Sequence, residues 1–153
     1  MRKLLFTAFM AMAMIVPIFA AQPSGTLPVL VIETQNHQAI NSKDTYVVGT
    51  YYLDPRGVEG VEAIGSAESP LPLQIKGRGN HTWAATNKKP YRIKVDKKAA
   101  LLGMNSSKHF ALMAHADDSR AFMRNLTGFE VSRMAGMPWT PADQPCEVIL
   151  NGD

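Results

Sequence analysis

Two stretches of this chain decide its fold: Leu73-Gln-Ile-Lys-Gly-Arg-Gly-Asn-His-Thr-Trp83 and Lys88-Lys-Pro-Tyr-Arg-Ile-Lys-Val-Asp-Lys-Lys98. In both, apolar and polar residues alternate, which is typical of strands with one buried face and one solvent face. Because a glycine-bearing bend separates them, the two strands are predicted to form a β-hairpin. From Lys76 to Lys98 there are eight Lys or Arg residues and one acid, Asp96, so the solvent face is predicted to be cationic.

The bend is Gly77-Arg-Gly-Asn80. Glycine leaves the backbone N–H groups around it unshielded, and successive N–H groups in a turn can form a concave anion site, for example for phosphate. A solvated hairpin with a tight turn explains the same residues, because short glycine motifs have low specificity. The bend alone leaves both interpretations open.

The N-terminus has the order of a secretory signal peptide. A positively charged start and an apolar run to Phe19 precede the small residues Ala20-Ala21. A retained membrane anchor is the alternative, since the apolar run is almost long enough to span a bilayer. The polar residues that follow favour cleavage, and with it export to the periplasm, the cell surface or the medium, without membrane attachment. The expected organisation is a signal peptide over 1–21, a linker over 22–26 and one domain over 27–153.

The charge of the chain is unevenly distributed. Without Arg2 and Lys3 the formal net charge of +3 falls to +1, so the overall charge does not indicate a nucleic-acid partner. Residues 27–70 carry six acids against two cations, and the basic hairpin follows directly. We therefore expect any anion site to lie in the middle third of the chain.

Further strands are predicted from runs rich in β-branched and aromatic residues, over 27–34, 45–54, 108–114 and 147–150. Gly49 predicts a bulge or break in the second of these. The region 58–70 is small and acidic and is predicted to be an exposed loop with at most a short strand.

One helix is predicted after Asp117-Asp118, which offer capping oxygens at its start, and Gly136 marks its end. Phe122, Leu126 and Phe129 fall on one face at helical spacing and are expected to pack on the sheet. The predicted fold class is α+β, a mostly antiparallel sheet with one packed helix.

Asn151-Gly152 is a strong signal for a two-residue hairpin turn. A hairpin needs a returning strand, and only Asp153 follows. The sequence is therefore interpreted as part of a longer protein, cut at a hairpin, with an unpaired sheet edge.

Other reactive side chains give weaker patterns. Cys146 is the only cysteine, which excludes an intrachain disulfide, and its apolar surroundings predict a buried structural thiol. Trp83 and Trp139 could stack on a sugar, but tryptophans next to turns more often anchor packing. Metal ligation is not predicted, because the nearby donors have no known ligand spacing and the acids suit helix capping: His109, His115, Asp117 and Asp118.

Several segments together resemble the N-terminal part of the CotH family, the spore-coat-protein-H-like secreted proteins regarded as atypical protein kinases. The resemblance covers most of residues 27–153 in the same order. It is carried by Ile75-Lys-Gly-Arg-Gly-Asn-His-Thr-Trp83, Lys88-Lys-Pro-Tyr-Arg-Ile-Lys94, Ala114-His-Ala-Asp-Asp118, Met123-Arg-Asn125 and Glu147-Val-Ile-Leu-Asn-Gly-Asp153.

The resemblance implies a fold like the N-terminal lobe of a kinase, with ATP and Mg²⁺ or Mn²⁺ as cofactors and secreted, coat or surface proteins as substrates. By analogy with kinases, the phosphate loop would be Gly77, Arg78 and Gly79. Lys94 would be the phosphate lysine, with Arg92 as the alternative on the same face, and Glu130 would orient it.

Two departures limit that analogy. The bend lacks the full G-x-G-x-x-G pattern of ordinary protein kinases. The metal-binding and catalytic acids of the family lie further along the chain, so no catalytic residue is expected within these residues and the fragment is expected to be inactive alone. A non-catalytic adhesion module, or a structural coat or envelope component, is the alternative function.

Overall fold

The computed structural model describes residues 25–118 and 123–153. The expected signal peptide, most of the linker and the helix residue Phe122 lie outside this part. The elements, in chain order, are β1 (Val29–Thr34), β2 (Val47–Asp54), β3 (Leu71–Gly77), α1 (His81–Ala85), β4 (Tyr91–Ala99), β5 (Ser107–Leu112), α2 (Arg124–Met134) and β6 (Glu147–Leu150), with short 3-10 turns at Gln35–His37 and Leu101–Gly103. No helix among the described residues is long and apolar enough to cross a membrane.

The strands form one mixed sheet in the order β5-β4-β3-β2-β1-β6. Every neighbouring pair is antiparallel except β1 and β6, which run parallel. The predicted pairing of β3 with β4 is confirmed, and so is the α+β class. The parallel β6 makes the sheet mixed, a feature that strand alternation does not reveal because it is the same in both orientations.

One face of the sheet forms the core. Leu30, Ile32, Leu53, Ile75 and Ile93 are at most 1% exposed, and each lies at an apolar position of an alternating strand. The core cluster is completed by loop residues, among them Ile40, Val61, Leu101 and Leu102. Loops rather than a helix therefore cover this face in the described part of the chain.

The predicted bulge at Gly49 is wrong. Strand β2 is continuous at this position, where Gly49 pairs with Leu73 of β3 and with Thr34 at the end of β1, and the register shift of the sheet lies instead between Lys94 and Ala99 on β4. Gly49 is needed for a different reason: a Cβ added there would lie 2.4 Å from the backbone oxygen of Glu33. The glycine allows close approach of β1.

The prediction of a helix packed on the sheet is also wrong. Helix α2 has no fully buried residue: Leu126 and Phe129 of the predicted face are only half-buried, and Val131 and Met134 are 58% and 80% exposed. Its apolar side chains are spread around the axis, so they form no continuous stripe for the sheet. Asp118 is not the N-cap residue, which is Met123, but its Oδ2 accepts a 2.9 Å hydrogen bond from the N–H of Arg124, the first residue of the helix.

The turn at Asn151-Gly152 is confirmed. Both residues have positive φ angles, 55° and 86°, as a two-residue hairpin turn of the primed type requires. The Asn151 side chain also fastens β6 to β1, because its Oδ1 accepts a 2.7 Å hydrogen bond from the Thr34 N–H. Its amide group donates in turn to Thr34 Oγ1 at 2.9 Å.

Candidate anion-binding surface

Strands β3 and β4 present their cations on the side of the sheet away from the core. Lys76 pairs directly with Arg92, and Gln74 pairs directly with Lys94. The intervening residues Ile75 and Ile93 are fully buried, so alternation directs the cations to solvent. Directly opposed residues on one face have Cβ atoms about 4.5–5.5 Å apart. We call the set Lys76, Arg78, Arg92 and Lys94 the basic face.

Arg78 extends this set beyond the end of β3. Its N–H donates to the Pro90 carbonyl at 3.1 Å, which continues the pairing of the hairpin by one residue. Its guanidinium contacts the Met113 sulfur just beyond the end of β5. Arg78 thus points to the same side as Lys76, two residues before it.

The four cations of the basic face form no ion pair within 4.0 Å with a carboxylate of the described residues, 25–118 and 123–153. The Lys76 Nζ instead lies 4.8 Å from the ring centre of Tyr46. Tyr46 directly precedes β2, the strand that pairs with β3. Unpaired cations on one exposed face produce a positive local potential that attracts anions and weakens with salt.

Two of the backbone N–H groups in the glycine bend are already hydrogen-bonded within the protein. Gly77 N–H donates to the Ser42 carbonyl at 2.8 Å, and Arg78 N–H is bonded to Pro90, so neither is available to an anion. Gly77 is buried against Trp83, whose ring atoms would lie 2.5–2.8 Å from a Cβ at this position. Gly79 is exposed with φ +82°, as expected for a glycine turn.

The connection between β3 and β4 is a folded block rather than a tight bend. It contains α1, and Trp83 packs edge-on to Tyr91 with ring centres 6.2 Å apart. Lys89 Nζ donates to the Trp83 carbonyl at 2.6 Å and lies 5.6 Å from the indole centre. Trp83 is therefore a packing anchor, and the alternative of a free sugar-stacking face is not favoured.

Glu130 lies outside the basic face. Its carboxylate accepts a 2.8 Å charged hydrogen bond from Arg133 on the next turn of α2, and Arg133 also contacts Asp143. These acids raise the pKa of Arg133, and the hydrogen bond that its guanidinium donates to Glu130 is the largest cause. In this structure Glu130 therefore orients Arg133 and forms no hydrogen bond or ion pair with Lys94.

A separate cleft of about 660 Å³ lies on the core side of the sheet, at the end near Trp83, Tyr91 and Leu150. Several of its polar groups are engaged within the protein, including Asn151 with Thr34. The cleft and the basic face are on opposite sides of the sheet, so one small anion cannot contact both.

The described residues do not form a site for a divalent metal. No group of three His, Cys, Asp or Glu side chains among them is close enough to hold an ion. Burial and then the nearby Glu147 raise the pKa of the Cys146 thiol to about 11, which disfavours the reactive thiolate. Cys146 packs against the core, although it is half-buried rather than fully buried as predicted.

The structure thus brings Arg78, Arg92 and Lys94 together and places Gly77 and Glu130 in other roles. Lys76 was missed as a site residue, although the alternation in β3 puts it on the face of Lys94. Tyr46 carried no sequence signal, since its position depends on the register of β2 against β3.

A comparison with known protein families gives a match over the region that carries the basic face. The family model described as CotH kinase protein matches residues 75–153, just over half of the chain. The match starts within β3 and includes the whole basic face. No curated protein and no solved structure matches the chain. A likeness of the sheet to a kinase lobe therefore rests on the family assignment alone.

Proposed function

Because the chain belongs to the CotH kinase family, we propose that it is the N-terminal part of an exported CotH-like protein kinase and that its basic face binds the phosphates of ATP. The single observation that carries this proposal is the group of four cations on one solvent face without carboxylate partners among the described residues.

The arrangement fits a phosphate chain through side chains. Lys94 and Arg92 lie on alternate positions of β4, and Lys76 faces Arg92 across the strand pair. Charge-assisted hydrogen bonds from Arg and Lys to phosphate oxygens are among the stronger protein contacts. We assign Lys94 to the phosphate chain with Arg92 beside it, and Gly77 to packing.

We assign no metal-binding role to the described residues. Since residues 25–118 and 123–153 offer no three-ligand set, they do not fit a bound Mg²⁺ or Mn²⁺ by themselves. We therefore derive no phosphoryl-transfer step from them. These residues would bind and orient the nucleotide, and the protein substrates would be secreted, coat or surface proteins.

The proposal is tested by calorimetric titration of ATP into the chain at low ionic strength, with and without Mg²⁺. Lys94→Ala is expected to weaken binding roughly three- to tenfold, because one exposed charge-assisted contact is lost. The matched control is Lys108→Ala, which removes the same charge from an exposed position of β5 on the opposite face. Equal affinities for wild type and Lys94→Ala would refute the assignment of Lys94.

A further inference from the structure

The basic face has a regular geometry that a nucleotide does not use fully. Three rows cross β3 and β4 on the solvent side: Gln74 with Lys94, Lys76 with Arg92, and Arg78 with Pro90. Consecutive rows are two residues apart along each strand, or about 6.8 Å. Cations therefore recur at a fixed spacing over three rows, a length of about 14 Å.

Adjacent phosphorus atoms of a triphosphate share one bridging oxygen, so they lie closer together than two rows of the sheet. An extended peptide, in contrast, places the side chains of residues i, i+2 and i+4 on one side at about the same spacing as the rows. Acidic side chains at those three positions would each meet one row of cations.

The borders of the basic face also fit a short extended peptide. On the side of β2, Val48 pairs with Gln74 of the first row and is 52% exposed. The ring of Tyr46 lies beside Lys76 of the second row. The regular pairing with β3 ends at Val95, one residue after Lys94, and the register shift of β4 follows, so the regular rows do not continue past Lys94. The surface thus combines three cationic rows with an apolar margin.

We propose that the basic face docks an extended acidic protein segment carrying Asp, Glu or phosphorylated residues at three alternate positions. Charge complementarity selects the acidic side chains, and the spacing of the rows selects alternate positions. The surface is shared with the proposed ATP site, but this inference does not require nucleotide binding, and the experiment below separates the two.

The test is fluorescence anisotropy with the full chain and two labelled peptides of the same composition. One peptide carries glutamate at three alternate positions between threonines, and the other carries the three glutamates in a row. We expect the alternating peptide to bind about three- to tenfold more tightly at low salt, since only the first and third of three consecutive glutamates can face the sheet at once. Arg92→Ala, in the middle row, should weaken the alternating peptide about two- to fivefold, while Lys108→Ala should leave it unchanged.

Equal affinity for the two peptides would overturn the proposal, because it would indicate attraction by net charge alone. So would tighter binding of a single-stranded oligonucleotide of the same charge, which would make nucleic acid the better partner. Discrimination between the peptides without ATP binding would support the docking surface and refute the ATP proposal. ATP binding without discrimination would do the reverse.

Discussion

Replacing Gly77 by Ala separates a packing glycine from a phosphate-binding one. The added Cβ would lie 2.5, 2.6 and 2.8 Å from three ring atoms of Trp83, whereas carbon atoms prefer about 3.5–4.0 Å. The indole would have to retreat by about 1 Å, and overpacking of this kind costs about 1–3 kcal/mol. Since Gly77 is cross-strand partner to Tyr91, the edge contact between the two aromatic rings would be disturbed as well.

The assay is urea unfolding followed by far-ultraviolet circular dichroism. Gly77→Ala is expected to lower the free energy of unfolding by about 1–2 kcal/mol, because the strand propensity gained by losing a glycine offsets part of the clash. Gly128→Ala is the matched control: no atom lies within 4 Å of the added Cβ, and the residue lies within α2. It should raise the unfolding free energy by about 0.5–1 kcal/mol.

The same Gly→Ala change is thus expected to lower the free energy of unfolding at position 77 and to raise it at position 128. An unfolding free energy for Gly77→Ala that equals or exceeds the wild-type value would refute the packing role of Gly77. Tryptophan fluorescence gives an independent check in a Trp139→Phe background, where Trp83 alone reports. An unchanged emission maximum in Gly77→Ala would contradict the predicted displacement of the ring.

Three further predictions concern the rest of the sheet and its one thiol. Gly49→Ala should destabilise the fold by about 3 kcal/mol, since its Cβ would lie 2.4 Å from the backbone oxygen of Glu33, which cannot rotate away as a side chain can. A normal urea midpoint would contradict this. Asn151→Gly keeps a residue suited to positive φ but removes the acceptor of the buried Thr34 N–H. The free energy of unfolding is expected to fall by about 1–3 kcal/mol in the same assay. An unchanged value would show that the hydrogen bond between Asn151 and Thr34 does not stabilise the fold. Cys146 should react with iodoacetamide roughly a hundredfold more slowly at pH 8 than an unperturbed thiol, because its pKa is about 11 instead of 9.0. A reaction rate that levels off near pH 9 would refute the raised pKa.

The strands and their faces were largely predictable from the sequence. Strict alternation in β3 and β4 identifies which side chains are buried, and the register of a hairpin then brings Lys94, Arg92 and Lys76 to one surface. The Asn151-Gly152 turn was predictable for a similar reason, since its backbone angles suit few other residue pairs. These features depend on local chemistry.

The features that were not predictable depend on contacts distant in sequence. Gly77 resembled an anion-binding glycine until its N–H was found bonded to Ser42, 35 residues earlier. The parallel pairing of β6 with β1 joins segments more than a hundred residues apart, with Asn151 bonded to Thr34. Glu130 was expected from the family resemblance to orient Lys94, yet the core is closed by loops and Glu130 pairs locally with Arg133.

The most direct test of the central claim is an amide NMR titration of the ¹⁵N-labelled chain with ATP at low ionic strength. The account predicts the largest shift changes at Lys76, Arg92 and Lys94 and at their row neighbour Ala111, with little change at Lys108. Changes confined to Gly79 and Asn80, or to the cleft beside Leu150, would contradict the assignment of the basic face as the anion-binding surface.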